Sequence, residues 1–153
     1  MATTFNWIYL GNFGTVLDPT EGSNVAENVN SLINTTWGSS GDPLYSHIIS
    51  GTMTNVGGTA GQLDTNNNAA NDQFTTNIGT GSVTYIHDAT VGMNATITYA
   101  DGTTATVTAV VVQSTTGQLF LAPETGANAD TTAYQAKPIL SITFTSVQST
   151  GAN

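Results

Sequence analysis

The chain has no cysteine, and against ten Asp and Glu it carries a single basic side chain, Lys137, for a formal net charge of −9. Without cysteine there are no disulfides, no thiolate metal site and no Cys nucleophile. One lysine cannot neutralise a row of phosphates, which excludes nucleic acid as a partner. The same deficit works against an anionic membrane surface. No apolar run approaches the roughly 18 residues a membrane-spanning helix needs, so membrane insertion is not expected. Charged residues make up only 7% of the chain, against about 25% in ordinary soluble domains.

Threonine supplies about a fifth of the residues, with Asn, Gly, Ser and Gln making up most of the remaining polarity. Threonine favours strands, and a disordered acidic chain would instead be rich in Glu, Lys and Pro. The composition describes a neutral, hydroxylated β-surface with few charges to guard its strand edges, a surface prone to self-association. At 153 residues the chain fits one domain with a sizeable core. Residues 1–11 read as an exchangeable N-terminal strand and 148–153 as a polar tail. The segment Met1 to Trp7 has neither a basic n-region nor a long apolar h-region, so it is no signal peptide. The expectation is an extracellular or cell-surface protein, exported without a cleaved N-terminal signal peptide. The alternatives are a cytosolic protein or a module cut from a longer chain.

Period-two patterning appears first in Thr4 to Leu10, where Phe5, Trp7 and Tyr9 share one strand face and Ile8 and Leu10 the other. Val25, Val29, Leu32, Ile33 and Trp37 then recur at helical spacing. This predicts an amphipathic helix, capped by Ser23 or Asn24 and ended by Gly38. Strands are expected over 44–53, 73–78, 82–87, 93–99, 104–113, 118–121 and 139–147. Gly79 to Gly81 and Asp101-Gly102 supply hairpin turns. Asp130 is expected to cap a short helix reaching Ala136, which Pro138 ends. The fold class is therefore mainly β: an antiparallel β-sandwich or barrel-like domain of about eight strands with one amphipathic helix.

Chemistry is sparse. His47 and His87 fall inside strand patterns with no G-x-S-x-G or H-E-x-x-H nearby. The acids sit mostly at turns or caps, and no enzyme is expected. One loop stands out. Asp64, Asn66, Asn68 and Asp72 occupy positions 1, 3, 5 and 9 of a D-x-N-x-N-x-x-x-D pattern, a spacing that aims side-chain oxygens at one calcium ion. Ala69 stands where a glycine would ease the turn, and Thr75 where a bidentate Glu is expected. The competing reading is an Asn-rich turn held by its own side chains. Trp7, Tyr9, Trp37, Tyr45, Tyr85, Tyr99 and Tyr134 would stack on glycan if exposed, or else pack a core. Lys137 fits a helix end or, less simply, an isopeptide cross-link.

Several segments together carry a resemblance: Thr3 to Gly11, Asp18 to Gly22, Ala26-Glu27-Asn28, Thr98 to Ala105, Gln118 to Glu124 and Ala136 to Ile139. Over most of its length the chain resembles the N-terminal module of Hint-domain (hedgehog/intein-like) secreted proteins of marine alphaproteobacteria. The resemblance implies an extracellular protein exported by a non-classical route. Those relatives carry a self-cleaving domain that begins at a Cys, which this chain lacks, so no catalytic residue carries over.

The expected function is that of an extracellular structural protein, a homo-oligomer or polymer that forms a filament or surface layer. Its N-terminal strand would add to a neighbour's sheet through Phe5, Trp7, Ile8, Tyr9 and Leu10, or else pair within its own. The alternative is a monomeric adhesion module that binds calcium or glycan.

Overall fold

The alternating segments form eight antiparallel strands and one α-helix in a computed structural model that describes residues 2–20, 22, 25–57, 71–79, 81–122 and 127–151. The strands are β1 (Ala2–Asn12), β2 (Thr36–Trp37), β3 (Ile48–Thr54), β4 (Gln73–Asn77), β5 (Ser82–Tyr99), β6 (Thr104–Ser114), β7 (Gln118–Ala122) and β8 (Ile139–Ser149). The helix, α1, covers Ala129–Ala136. The neighbour order is β2-β8-β5-β4-β3-β1-β7-β6, and β6 also pairs with β5. Six strands therefore close a ring, which removes most sheet edges, while β8 and β2 extend the sheet from the far half of β5. No helix among the described residues is long and apolar enough to cross a membrane.

The long strand β5 belongs to both parts. Its first residues, Ser82 to Ile86, pair with β4, and Gly92 to Tyr99 pair with β8. Between them the register slips against β6, with His87 opposite Ser114 and Ala89 opposite Gln113. Asp88 is the inserted residue of this bulge. An inserted residue turns the following side chains to the opposite face. His87 accordingly lies beside Trp7 and Phe74, whereas Ala89, Val91, Met93, Ala95 and Ile97 enter a different cluster.

Two cores result. Trp7, Phe74, Val112, Phe120 and Ala122 fill the inside of the ring, with Tyr9, Ile49, Met53 and Tyr85 packed against them. Every ring strand contributes to this cluster. The larger core lies on the other face, where β5, β6, β7 and β8 are covered by Leu17, Ala26, Val29, Leu32 and Leu44 from the long connection between β1 and β3. Buried Gln113 ties that connection down. Its Oε1 accepts from the Leu17 N–H at 2.9 Å, and its Nε2 donates to the Phe13 and Thr15 carbonyls at 3.2 and 2.9 Å.

The segment expected to be an amphipathic helix is not one. A single 3-10 turn spans Val29–Leu32, Val25 is 45% exposed, and Trp37 lies in β2. The cause is local. Asn28 Nδ2 donates to the Val16 carbonyl at 2.9 Å, and Ser31 Oγ donates back to the Asn28 carbonyl at 2.6 Å. Such side chains compete with helical backbone bonds. Asn34 takes a left-handed φ of 67°, and its N–H donates to the Phe144 carbonyl of β8. Val29 and Leu32 are buried as the periodicity required, but in a loop. The expected caps Ser23 and Asn24 lie outside the described residues.

Other boundaries shift for similar reasons. Leu44–Ser46 is a 3-10 turn after Pro43, held by Ser46 Oγ on the Pro43 carbonyl at 2.7 Å, and the strand begins at Ile48. Residues 82–87 and 93–99 are one strand. Gln148 and Ser149, expected in the tail, belong to β8. Simple alternation would put Ile139 on the face opposite Ile142 and Phe144, yet all three are buried in the larger core. The register skips Leu140 between Ser141 and Ile139, which brings Ile139 round to the inner face. Asn128, not Asp130, caps α1 by accepting from the Thr131 N–H at 2.9 Å.

Closure of the ring leans on Gly51. A Cβ built there would lie 2.1 Å from two carbons of the Phe74 ring, which is itself fully buried. Gly51→Ala is expected to destabilise the domain by about 1–3 kcal/mol through overpacking, measured by urea unfolding. Phe74→Leu in the same chain should recover part of that loss.

Candidate functional site

Asp72 is the one member of the expected calcium loop within the described residues; Asp64, Asn66 and Asn68 lie outside them. Asp72 is buried, and its Oδ1 accepts the Val56 N–H at 3.0 Å. Oriented to satisfy its neighbours, the Asn55 amide nitrogen donates to the same oxygen at 3.1 Å and to the Gly57 carbonyl at 2.7 Å. The Asp72 carboxylate thus anchors the start of the connection that follows β3. Among the described residues no three His, Asp or Glu side chains converge as a hard-cation cluster would require.

Each residue named for subunit contact lies in β1, which pairs within its own sheet. Phe5 sits opposite Gly51, Trp7 opposite Ile49, and Ile8 opposite both Ile48 and Leu121. Trp7 and Leu10 are buried, Ile8 and Tyr9 half-buried. The face assignment read from alternation holds, since Trp7 and Tyr9 belong to the ring interior and Ile8 and Leu10 to the larger core. Pairing along the strand is uneven. β3 matches Ala2 to Ile8, whereas β7 begins only at Ile8. The Tyr9 N–H points to the β3 side, donating to the His47 carbonyl at 3.0 Å. By alternation, Thr4 and Asn6 direct their N–H groups to the other side. A groove of about 370 Å³ runs along that side, lined by Asn6, Trp7, Ile8, Ile48, Tyr134 and Gln135 among others.

The aromatics considered for glycan stacking are mostly packed. Tyr99 is buried with its hydroxyl donating to the Ala133 carbonyl at 2.6 Å, and the Tyr134 hydroxyl donates to the Thr108 carbonyl at 3.0 Å. Trp37 meets Phe13 edge-on. Burial, and secondarily the neighbouring Tyr85, raise the pKa of Tyr9. Tyr45 alone of the seven is well exposed, at 46%. Lys137 donates to Asp101 at 2.8 Å and to Thr103 at 2.9 Å on the surface. The bonds from Lys137 and Thr103 hold the Asp101 carboxyl well below the usual range.

The histidines differ. His47 is part-exposed and pairs with Asp42 at 2.5 Å. His87 is almost wholly buried in the ring, its centroid 5.7 Å from that of Trp7 and 6.2 Å from that of Phe74. Its Nε2 lies 3.1 Å from Met53 Sδ. Backbone bonds fix the ring's origin: the His87 N–H donates to the Asp72 carbonyl at 3.0 Å, and Asn71 Nδ2 donates to the His87 carbonyl at 2.7 Å. The strand pattern marks His87 as an ordinary strand residue and gives no sign of Met53. The available signal is an acid, Asp88, within a strand-forming stretch.

Burial depresses the His87 pKa from 6.5 to about 4. The unfolded chain therefore gains a proton below about pH 6.5 that the folded chain refuses until about pH 4. Stability contributed by neutral His87 is complete above the upper value and lost as pH falls through the window, a total of roughly 3 kcal/mol. Urea unfolding at pH 7, 5.5 and 4 should show this decline, and His87→Leu should flatten it.

Comparison of the chain with protein-family models, with curated proteins and with solved structures finds no match.

Proposed function

We propose that this protein is an extracellular structural module that assembles with copies of itself into a filament or surface layer, and that the contact forms along the first strand. The supporting observation is the uneven pairing of β1. Its Ala2–Trp7 half has β3 on one side and, among the described residues, no strand on the other. The groove beside that edge combines outward N–H groups with Ile8, Ile48 and Tyr134. Backbone bonds to an added strand supply affinity, and the groove supplies side-chain pockets. Where the β1 edge of one copy receives a different edge of the next, the contact is head-to-tail, and it propagates when the rotation between copies does not close a ring.

The surface supports the same reading. β1 carries no charged residue to guard its edge, and the exposed strand residues are largely hydroxylated. The resemblance to the N-terminal module of Hint-domain secreted proteins supports an extracellular setting. The role requires no catalytic residue.

Asn6→Pro removes one outward N–H from the free edge and leaves the β3 ladder in place. Light scattering at increasing concentration should show the unaltered chain growing into large species and Asn6→Pro remaining near 15.8 kDa. A unaltered chain that stays monomeric throughout refutes self-assembly. A variant that polymerises as well as its parent refutes the β1 edge.

A further inference from the structure

The ring interior contains a pair of side chains that its packing does not explain. A buried imidazole costs desolvation free energy unless a good hydrogen-bond partner compensates it. The close partner of His87 Nε2 is a thioether, Met53 Sδ at 3.1 Å, and thioether sulfur is a weak acceptor. Either side chain could be replaced by an aliphatic residue if filling space were its whole role.

We propose that His87 and Met53 form a binding site for a single Cu(I) ion beside the indole of Trp7. The donor set selects the metal. Thioether sulfur favours soft ions, imidazole binds copper well, and the paired carboxylates that harder ions prefer do not face this nitrogen among the described residues. Cu(I) accepts low coordination numbers, and seating it between these two donors requires Met53 Sδ to swing away from its 3.1 Å contact with Nε2. Neutral imidazole is the ligating form, and burial keeps His87 neutral at physiological pH. Three rotatable bonds let Met53 adjust its sulfur around the ion.

The surroundings suit a buried monovalent cation. Trp7 lies next to the imidazole and stacks on Phe74, with centroids 4.1 Å apart. Indole is the strongest of the aromatic faces for cations, and these rings exclude the water and oxygen that would oxidise the ion. Access comes from the Met53 side, because Met53 is only partly buried. The backbone bonds from Asp72 and Asn71 hold His87 in position without occupying its ring nitrogens.

Ag(I), which shares the coordination chemistry and is inert to air, is the probe. Titration of the full chain with silver nitrate in chloride-free buffer, followed by calorimetry, should give one ion per chain. Met53→Leu and His87→Gln should each weaken binding at least about tenfold. His47→Gln and Met93→Leu should leave it within about twofold. Methionine methyl NMR on the unaltered chain reads the site independently of how any variant folds: the Met53 signal should shift with added Ag(I) while Met93 stays put. An unshifted Met53 methyl, or binding abolished by His47→Gln, overturns the assignment.

Discussion

The ring closes because one side chain is missing. Phe74 occupies the space that a side chain at Gly51 would take, and this lets its ring reach the centre of the barrel. There it stacks on Trp7 at 4.1 Å and meets Phe120 edge-on at 5.4 Å. These three residues come from β4, β1 and β7, strands that are not all neighbours in the sheet order. Their contact draws opposite walls together, and Tyr9 and Tyr85 reach Phe120 from two further positions. Aromatic pairs of this geometry add to area burial, so a small interior is filled by few residues. The polar His87 is tolerated at the border of this cluster because the Asp88 bulge lets β5 change face there.

The bulge divides the labour within one strand. Before it, β5 is a barrel stave with Tyr85 turned inward. After it, alternate residues from Ala89 to Tyr99 supply the backbone of the larger core. A regular strand of this length could not serve both interiors from residues of the same parity. The long connection between β1 and β3 then covers the outer face, fastened by Gln113 near its start and by the pairing of β2 with β8 near its end.

Much of the fold was legible because period-two patterning depends on local chemistry. The face assignment of β1, the alternation of Met93 to Tyr99 and the Asp101-Gly102 turn all follow from residues near one another in sequence. What was not legible depends on distant partners. The stripe from Val25 to Trp37 identifies buried Val29 and Leu32 but not their conformation, because Asn34 and Thr35 bond to Phe144 of β8, more than a hundred positions away. The same holds for the candidate sites. The spacing of Asp72 suggested a ligand, whereas its carboxylate caps the Val56 N–H. The approach of Met53 to His87 requires β3, β4 and β5 to lie side by side, and no local motif encodes it.

The helix α1 has a consequence beyond its size. It presents Asp130 to the N–H of Thr108 and the Tyr134 hydroxyl to the carbonyl of the same residue. Side chains thereby imitate one rung of a ladder along the portion of β6 that β7 leaves uncovered. A second sheet arriving at this margin finds its docking atoms already satisfied. Eight helical residues thus act as a stopper, giving the molecule a blunt side along this margin of β6.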